Sequence, residues 1–367
     1  MQNKIQVARP YIDNDDIKGV ISVLKSGFLS LGPRYIEFEN KIARYSKAKY
    51  ACAVANGTTG LHLCVRALDL QEGDEVITSP FSFVASSNVL LYEGVKPVFV
   101  DIEEETFNID SSKIEEQITK KTKAILPIHI FGQSADMDEI MKIAEKYNLK
   151  ILEDACESLG ATYKGKMVGT TGDIGTYAFY PNKQMTTGEG GMIVTNSKDI
   201  YDLCDSLRNQ GRGKNGDWLI HERLGYNYRM DEMSASLGVT QLKKINWMID
   251  EKRKIASWYN KAFEGVSEII TPVVGRNRTH SYFVYVVRIK NSKRDVVMAE
   301  LGKVGIQIKP YLPVIHLQPF MKRMFGFKKG NFPVAEKISS ETLALPLYIG
   351  LKLKDVEYIV KRIKENL

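Results

Sequence analysis

Cysteine is scarce in this sequence: Cys52, Cys64, Cys156 and Cys204 stand far apart, with no CxxC pair and no Cys/His spacing of a metal site. A disulfide scaffold and a zinc ribbon are thereby excluded, and Cys64 and Cys156, set in apolar stretches, read as reduced, packed thiols. The five histidines form no metal-ligand pattern, and the His221-Glu222 pair lacks the second histidine of a zinc-protease helix, so no metal is expected. No apolar run approaches the length of about eighteen residues that a membrane helix needs. The opening MQNKIQVARPYIDNDD has no apolar leader segment, and the chain reads as cytoplasmic. A Gly-x-Gly-x-x-Gly turn after the first strand is also missing, which argues against a dinucleotide site. Gly160 to Lys166 copies the spacing of a nucleotide-binding loop, but Met167 stands where a magnesium-binding Ser or Thr is required, and the stretch reads as a turn between short strands. A large charge of one sign is lacking too. Fifty-one Lys+Arg against 44 Asp+Glu leave +7, scattered rather than clustered, which suits an anionic small substrate better than a nucleic acid. The short basic runs Lys120 to Lys123 and Lys252-Arg253-Lys254 read as solvated helix ends.

What is present is an ordinary globular balance, 44% hydrophobic and 26% charged over 367 residues, enough for two or three domains. Apolar runs at Ala51–Ala55, Glu75–Thr78, Pro97–Val100, Ala124–Ile128, Lys150–Glu153, Asp173–Phe179 and Met192–Thr195 predict strands. Helical periods separate most of them: Leu61 to Leu68, Ile114 to Ile118 and Met137 to Tyr147. Two earlier helices are expected, one over Ile17 to Leu24 stopped by Gly27, one beginning at Pro33. Strands alternating with helices predict a mostly parallel sheet covered on both faces. Between Asp173 and Thr195 no crossover helix fits, so a local antiparallel reversal is expected. A helical region over Asp231–Phe263 leads to a strand at Ser281–Ile289 and a final helix at Lys354–Lys364. The chain therefore divides into a large part, 1–250, and a small α+β part, 251–367, with the N-terminal segment a candidate to pack on the latter.

Three constellations carry chemistry. Ala55-Asn56-Gly57-Thr58-Thr59-Gly60 follows a strand and opens a helix, a place where unpaired N–H groups and the positive dipole end receive an anion such as phosphate. The structural alternative is an ordinary capped βα turn. Asp154, after Ile151-Leu152-Glu153, lies at the carboxyl end of a buried strand, where ligands of open α/β sheets sit. A carboxylate there needs a partner, either a structural Arg or a ligand cation. Lys183 lies on the loop Tyr180-Pro181-Asn182-Lys183-Gln184-Met185-Thr186-Thr187-Gly188 between two buried strands. Most lysines are solvated surface charges, but this setting is one in which an amine becomes a nucleophile.

Phosphate-binding turn, strand-end carboxylate and loop lysine together answer the needs of pyridoxal phosphate (PLP). At this point the sequence resembles the DegT/StrS family of sugar-nucleotide aminotransferases, over essentially its whole length. The resemblance rests on NGTTGLHL, GDEVITSPFSFVASSN, KPVFVDIEEETFNID, IHIFGQSADMD, EDACESLGA, NKQMTTGEGG, GYNYRMDEMSASLG, PVIHLQP and FPVAEKIS. It implies the fold of aspartate aminotransferase: a large α/β unit with a mostly parallel seven-stranded sheet between helices, and a small α+β C-terminal unit. It implies Lys183 as the Schiff-base lysine and proton carrier and Asp154 as partner of the pyridine nitrogen. Gly57, Thr58 and Thr59 would hold the phosphate and Phe83 would stack on the ring. Asn227 would reach the cofactor of a neighbouring subunit in a homodimer, and Arg229, Lys309, Tyr311 and His316 belong to segments that approach substrate. Two positions depart from the family: Glu157, where relatives often carry Gln or His, adds a carboxylate near the ring, and Ala178, where many carry Ser, removes a phosphate ligand. The implied activity is transfer of an amino group from L-glutamate, leaving 2-oxoglutarate, to a keto group of a nucleotide-linked sugar. A 4-keto-6-deoxyhexose is the first expectation and a 3-keto sugar the second. A PLP-dependent sugar dehydratase, whose relatives replace the lysine by His, and a non-catalytic relative on the same scaffold are the rivals. The intact Lys183, Asp154 and phosphate turn argue against both.

Overall fold

The computed structural model describes residues 5–213 and 220–367. The apolar runs become nine strands in the first 195 residues: β1 Tyr50–Val54, β2 Glu75–Thr78, β3 Lys96–Phe99, β4 Thr122–Ile125, β5 Lys150–Asp154, the short hairpin β6 Thr162–Tyr163 and β7 Lys166–Met167, β8 Ile174–Ala178 and β9 Gly191–Thr195. Seven of them form one sheet in the order β1-β9-β8-β5-β4-β2-β3. The pairs from β8 to β3 are all parallel, and β9 alone runs antiparallel to its two neighbours. That is the reversal expected where no crossover helix fits, and the mostly parallel sheet confirms the fold class. Gly160 to Lys166 closes the β6–β7 hairpin, with Gly165 at φ 77°, so the nucleotide-loop spacing is a turn.

Parallel strands need crossovers, and helices Gly57–Ala67, Met137–Tyr147 and Lys198–Arg208 supply apolar faces to cover the sheet. Leu61, Cys64 and Val65 from the first join Cys52, Val76, Leu126 and Leu152 in one core cluster. Because β5 is central, Ile151 to Asp154 are buried on both faces, which explains the uninterrupted apolar run leading to Asp154.

Three later strands, β10 Ile269–Ile270, β11 Tyr285–Ile289 and β12 Thr342–Leu345, make a separate antiparallel sheet. Helices Ile245–Ala262, Arg294–Lys303 and Leu353–Lys364 pack on it around Tyr259, Tyr285, Val287, Leu301 and Ile359. Ile5 pairs with Ile306, and the Leu347 N–H donates to the Val7 carbonyl at 3.0 Å, so the N-terminal segment lies against this sheet. The helix Ile245–Ala262 runs across position 250.

Three elements differ from expectation. The stretch Ile114 to Ile118 forms two single 3₁₀ turns, Ser111–Lys113 and Glu115–Gln117, because so short a period cannot offset the cost of nucleating a helix. The strand expected from Ser281 begins only at Tyr285. The N–H groups of Ser281 and Phe283 donate instead to the carbonyls of Gly132 and Phe131 at 2.8 and 3.1 Å, which ties this segment to the 3₁₀ turn Ile130–Gly132 that follows β4. Asp231–Phe263 is two helices, Glu232–Leu242 and Ile245–Ala262. They are separated where Lys244 turns its ammonium to Asp13 and Asp16, at 2.5 and 2.7 Å. No helix among the described residues is long and apolar enough to cross a membrane.

Candidate active site

The carboxyl ends of β4, β5 and β8 and the start of helix Gly57–Ala67 open on a cavity of about 830 Å³. Gly57, Thr58, Thr59, Phe83, Asp154, Glu157, Ala178, Lys183 and Tyr311 all line it. Residues as far apart in sequence as Gly57 and Tyr311 thus face one space, of the size that small-molecule sites have.

Asn56 caps the helix. Its side chain accepts from the Thr59 N–H at 2.9 Å, while the Thr59 hydroxyl donates to the Asn56 carbonyl at 2.8 Å. The cap therefore uses both the N–H and the hydroxyl proton of Thr59, and the N–H groups of Gly57 and Thr58 with the Thr58 hydroxyl are what remain for an anion. Gly57 is needed for close approach: a Cβ there would lie 2.7 Å from the Ala178 Cβ and 3.1 Å from the Cys156 Sγ. Cys156 also borders the cavity, but burial pushes its thiol far above the ordinary range, so it is no nucleophile.

Asp154 ends β5 with 5% of its surface exposed. One carboxylate oxygen accepts from the Ser86 hydroxyl at 2.6 Å and the other from the Cys156 N–H at 3.1 Å. No Arg or Lys pairs with it among the described residues, so the structural-arginine alternative fails and a ligand cation is the remaining partner. Lys183 reaches in from the β8–β9 loop, its Nζ 3.7 Å from Glu157 Oε1 and 3.9 Å from the centre of the Phe283 ring. Glu157 follows β5 on a turn rather than on a helix and accepts the Phe131 N–H at 2.9 Å. Burial pushes its carboxyl above the usual range, with the Asp154 charge adding and Lys183 opposing. Tyr311 is raised to about 12, chiefly by burial and then by Glu157.

Phe83 stands at the mouth, 61% exposed, where a planar ligand can cover it. The other expected residues do not border this cavity. Asn227 is exposed and its backbone pairs with Asn209; Arg229 donates to the Asn209 side chain at 3.0 Å. Lys309 is exposed with its backbone bridged to Ala344. His316 is enclosed against Phe327 and Phe332 with Nε2 3.0 Å from Glu336, a packing role that its HLQP context did not reveal. Lys252, read as part of a solvated run, is buried at 6% exposure, because the helix Ile245–Ala262 turns it toward the Lys183 loop.

Sequence reasoning missed Ser86, Phe283, Tyr180, Asn182 and Tyr228, all at the cavity wall. Ser86 was legible in principle, since it stands in the SPFSFVASSN segment; Phe283 arrives only through tertiary folding. The residues fit pyridoxal phosphate on the chemistry of the donor set. Free helix N–H groups match the phosphate, an unpaired buried carboxylate matches the ring nitrogen, and an amine matches the aldehyde. The Asn182 side-chain oxygen, buried at the cavity wall without a partner among the described residues, is a further unused acceptor.

Comparison with known proteins agrees. The model of the DegT/DnrJ/EryC1/StrS aminotransferase family matches residues 10–364. GDP-perosamine synthase of Caulobacter vibrioides is 36% identical, with 99% of this chain and 98% of that protein covered. The dTDP-3-amino-3,6-dideoxy-alpha-D-galactopyranose transaminase of Aneurinibacillus thermoaerophilus is also 36% identical, covering 93% of this chain and 92% of the relative. Among solved structures, Helicobacter pylori PseC, an aminotransferase involved in pseudaminic acid biosynthesis, superposes with a TM-score of 0.95 at 27% identity, covering 99% of each chain.

Proposed function

Because the chain belongs to the DegT/DnrJ/EryC1/StrS family of PLP-dependent aminotransferases, we propose that it transfers an amino group from L-glutamate to a keto group of a nucleotide-linked sugar, with Lys183 as the reactive amine. The observation that carries this reading is the convergence of Lys183, Asp154 and the Gly57–Thr58 turn on one cavity. The acceptor proposed first is a nucleoside-diphosphate 4-keto-6-deoxyhexose, in line with the GDP-perosamine synthases, which match 98–99% of the chain. A 3-keto sugar is second, on the strength of relatives named for 3-amino and 3-oxo sugars. The pathway context proposed is cytoplasmic synthesis of cell-surface polysaccharide such as O-antigen.

When bound, pyridoxal phosphate supplies a carbonyl for amines and a conjugated ring that accepts electron density. In this reading Asp154, fixed by Ser86 and the Cys156 N–H, stabilises positive charge at the ring nitrogen. The N–H groups of Gly57 and Thr58 and the Thr58 hydroxyl would hold the phosphate, and Phe83 would stack on the ring. Lys183 Nζ would hold the cofactor through its carbonyl and would carry the proton at the amine-bearing carbon of the donor. Glu157, with Oε1 3.7 Å from the Lys183 ammonium, is placed to share that proton. Tyr311 contacts substrate. Asn227 and Arg229 act on the site of the partner protomer in a homodimer. Exposed Ile17, Ile21 and Leu24 on one helix, with Phe28, Leu29 and Leu31 beyond it, support such an interface. Lys309 faces the sugar nucleotide's charged end, and His316 shapes its segment from behind. The chain is taken as a cofactor-binding part, 1–250, and a smaller part, 251–367.

Purified protein mixed with the cofactor is expected to show a visible absorption band that glutamate bleaches and a keto-sugar nucleotide restores. Product mass and NMR over a panel of 4-keto and 3-keto nucleotide sugars identify the carbon aminated. A band that persists in Lys183→Ala overturns the assignment of the lysine.

A further inference from the structure

The helix Ile245–Ala262 carries a lysine that its surroundings do not neutralise. Lys252 is 6% exposed, and its Nζ donates to the main-chain carbonyl of Lys183 at 3.2 Å. An ammonium brings three donors, yet no carboxylate lies within ion-pairing distance among the described residues. The acids of its own helix are turned elsewhere: Asp250 pairs with Arg253 at 3.1 Å and Glu251 with Lys254 at 3.7 Å. Beside it is a small cleft of about 20 Å³, whose other titratable or charged groups are Lys183, Arg9 and Tyr11, room for about one water. Burial, with the Lys183 charge adding, lowers Lys252 to about 7. An unpaired buried cation costs stability, so its presence behind a reactive loop asks for a function.

The loop is held at several points. The Lys183 N–H donates to Tyr180 at 2.9 Å, the Gln184 amide to Ser281 Oγ at 2.9 Å, and the Thr186 hydroxyl to Phe179 at 3.0 Å. Among the described residues, the bond from Lys252 is the one that fixes the carbonyl of Lys183 itself. We propose that Lys252 is a positioning residue for the transfer reaction: by holding that carbonyl it sets the direction in which the Lys183 side chain leaves the loop toward Glu157 and Phe283. The inference rests on Lys183 being the reactive amine.

The test compares Lys252→Met, which keeps the volume and removes the donor, with Lys252→Arg, which keeps a charged donor. In cofactor-free protein, hydrogen exchange over residues 181–187 is expected to quicken about tenfold in the Met variant and to leave the rest of helix 245–262 unchanged. In the loaded enzyme, the glutamate half-reaction per bound cofactor is expected to slow ten- to a hundredfold, roughly the cost of a misplaced reacting group, and the Arg variant recovers most of it. Thermal stability of the Met variant is expected to be no lower than wild type. The unfolded chain keeps Lys252 protonated up to about pH 10 while the folded chain releases the proton near 7, so the wild type loses stability as pH falls through that window. The Met variant's advantage is therefore largest at and below pH 7. Unchanged exchange over 181–187 overturns the inference, as does a lower melting temperature with exchange raised along the whole helix. If the Met variant does not fold, the same exchange and rate measurements on Lys252→Gln against Lys252→Arg decide. A cofactor band that survives in Lys183→Ala overturns both the catalytic reading and this inference, whereas unchanged exchange overturns this inference alone.

Discussion

Glu153 and Asp154 are neighbours on β5 and, by the alternation of a strand, face opposite sides of the sheet. Glu153 is completely enclosed and saturated. It accepts from His129 at 2.8 Å, from the N–H groups of Gly169 and Thr171 at 2.7 Å, and from that of Gly172 at 2.6 Å. His129 in turn accepts the Ala135 N–H at Nδ1, 3.1 Å away, which places its proton on Nε2, toward the carboxylate. Burial alone would raise the Glu153 carboxyl, but His129 and the glycine N–H groups outweigh it and hold it below the ordinary range. Among the described residues Asp154 has only Ser86 and one N–H, and the rest of its capacity faces the cavity. Two adjacent carboxylates of similar burial thus do different work. The satisfied one builds the frame, and the unsatisfied one is available to a ligand.

The contrast can be broken most severely from the cavity side. Lys183→Ala is expected to remove the visible band and slow the glutamate half-reaction by about 10⁴, the upper range for loss of a positioned proton carrier, measured by stopped-flow absorbance. Asp154→Asn is expected to cost about 10²–10³ in the same rate while leaving the melting temperature near wild type. Glu153→Gln should do the reverse. Breaking a buried, saturated carboxylate pair costs about 3–5 kcal/mol and lowers the denaturant midpoint, while the rate per bound cofactor stays within about twofold. Its pH profile sharpens the point. Glu153 contributes stability above its unfolded value of about 4.3 that is lost as pH falls through its lower folded value, so the acid limb of the stability curve should flatten in the Gln variant. Gly57→Ala forces a Cβ to within 2.7 Å of the Ala178 Cβ, and overpacking of about 1–3 kcal/mol should appear as weaker cofactor binding in an equilibrium titration. The smallest effect is expected from Ser86→Ala, about 1 kcal/mol for one hydrogen bond, read as a several-fold rise in cofactor Kd.

Much of this was legible beforehand. The strand ends of the large sheet differ by at most three residues from the apolar runs, because strands buried on both faces must be apolar throughout. The cavity residues nearest a strand end or a helix start, Gly57, Asp154 and Lys183, were visible for the same reason: local geometry dictates them. Residues that reach the cavity from distant segments left little trace. Phe283 looked like part of a strand, and Lys252 looked like a solvated charge within a basic run. His316 shared a motif with substrate-facing residues yet packs against Phe332 and Glu336.

By itself the sequence determined the alternation of strands and helices, the reversal at β9 and the three chemical groups suited to pyridoxal phosphate. All of these follow from short-range periodicity and from the few side chains able to do that chemistry. Tertiary structure alone decided which polar groups are saturated and which are left open, and which of two lysines points into the cavity and which lies behind it. Satisfaction and burial depend on partners brought together from remote parts of the chain, and no local pattern encodes them.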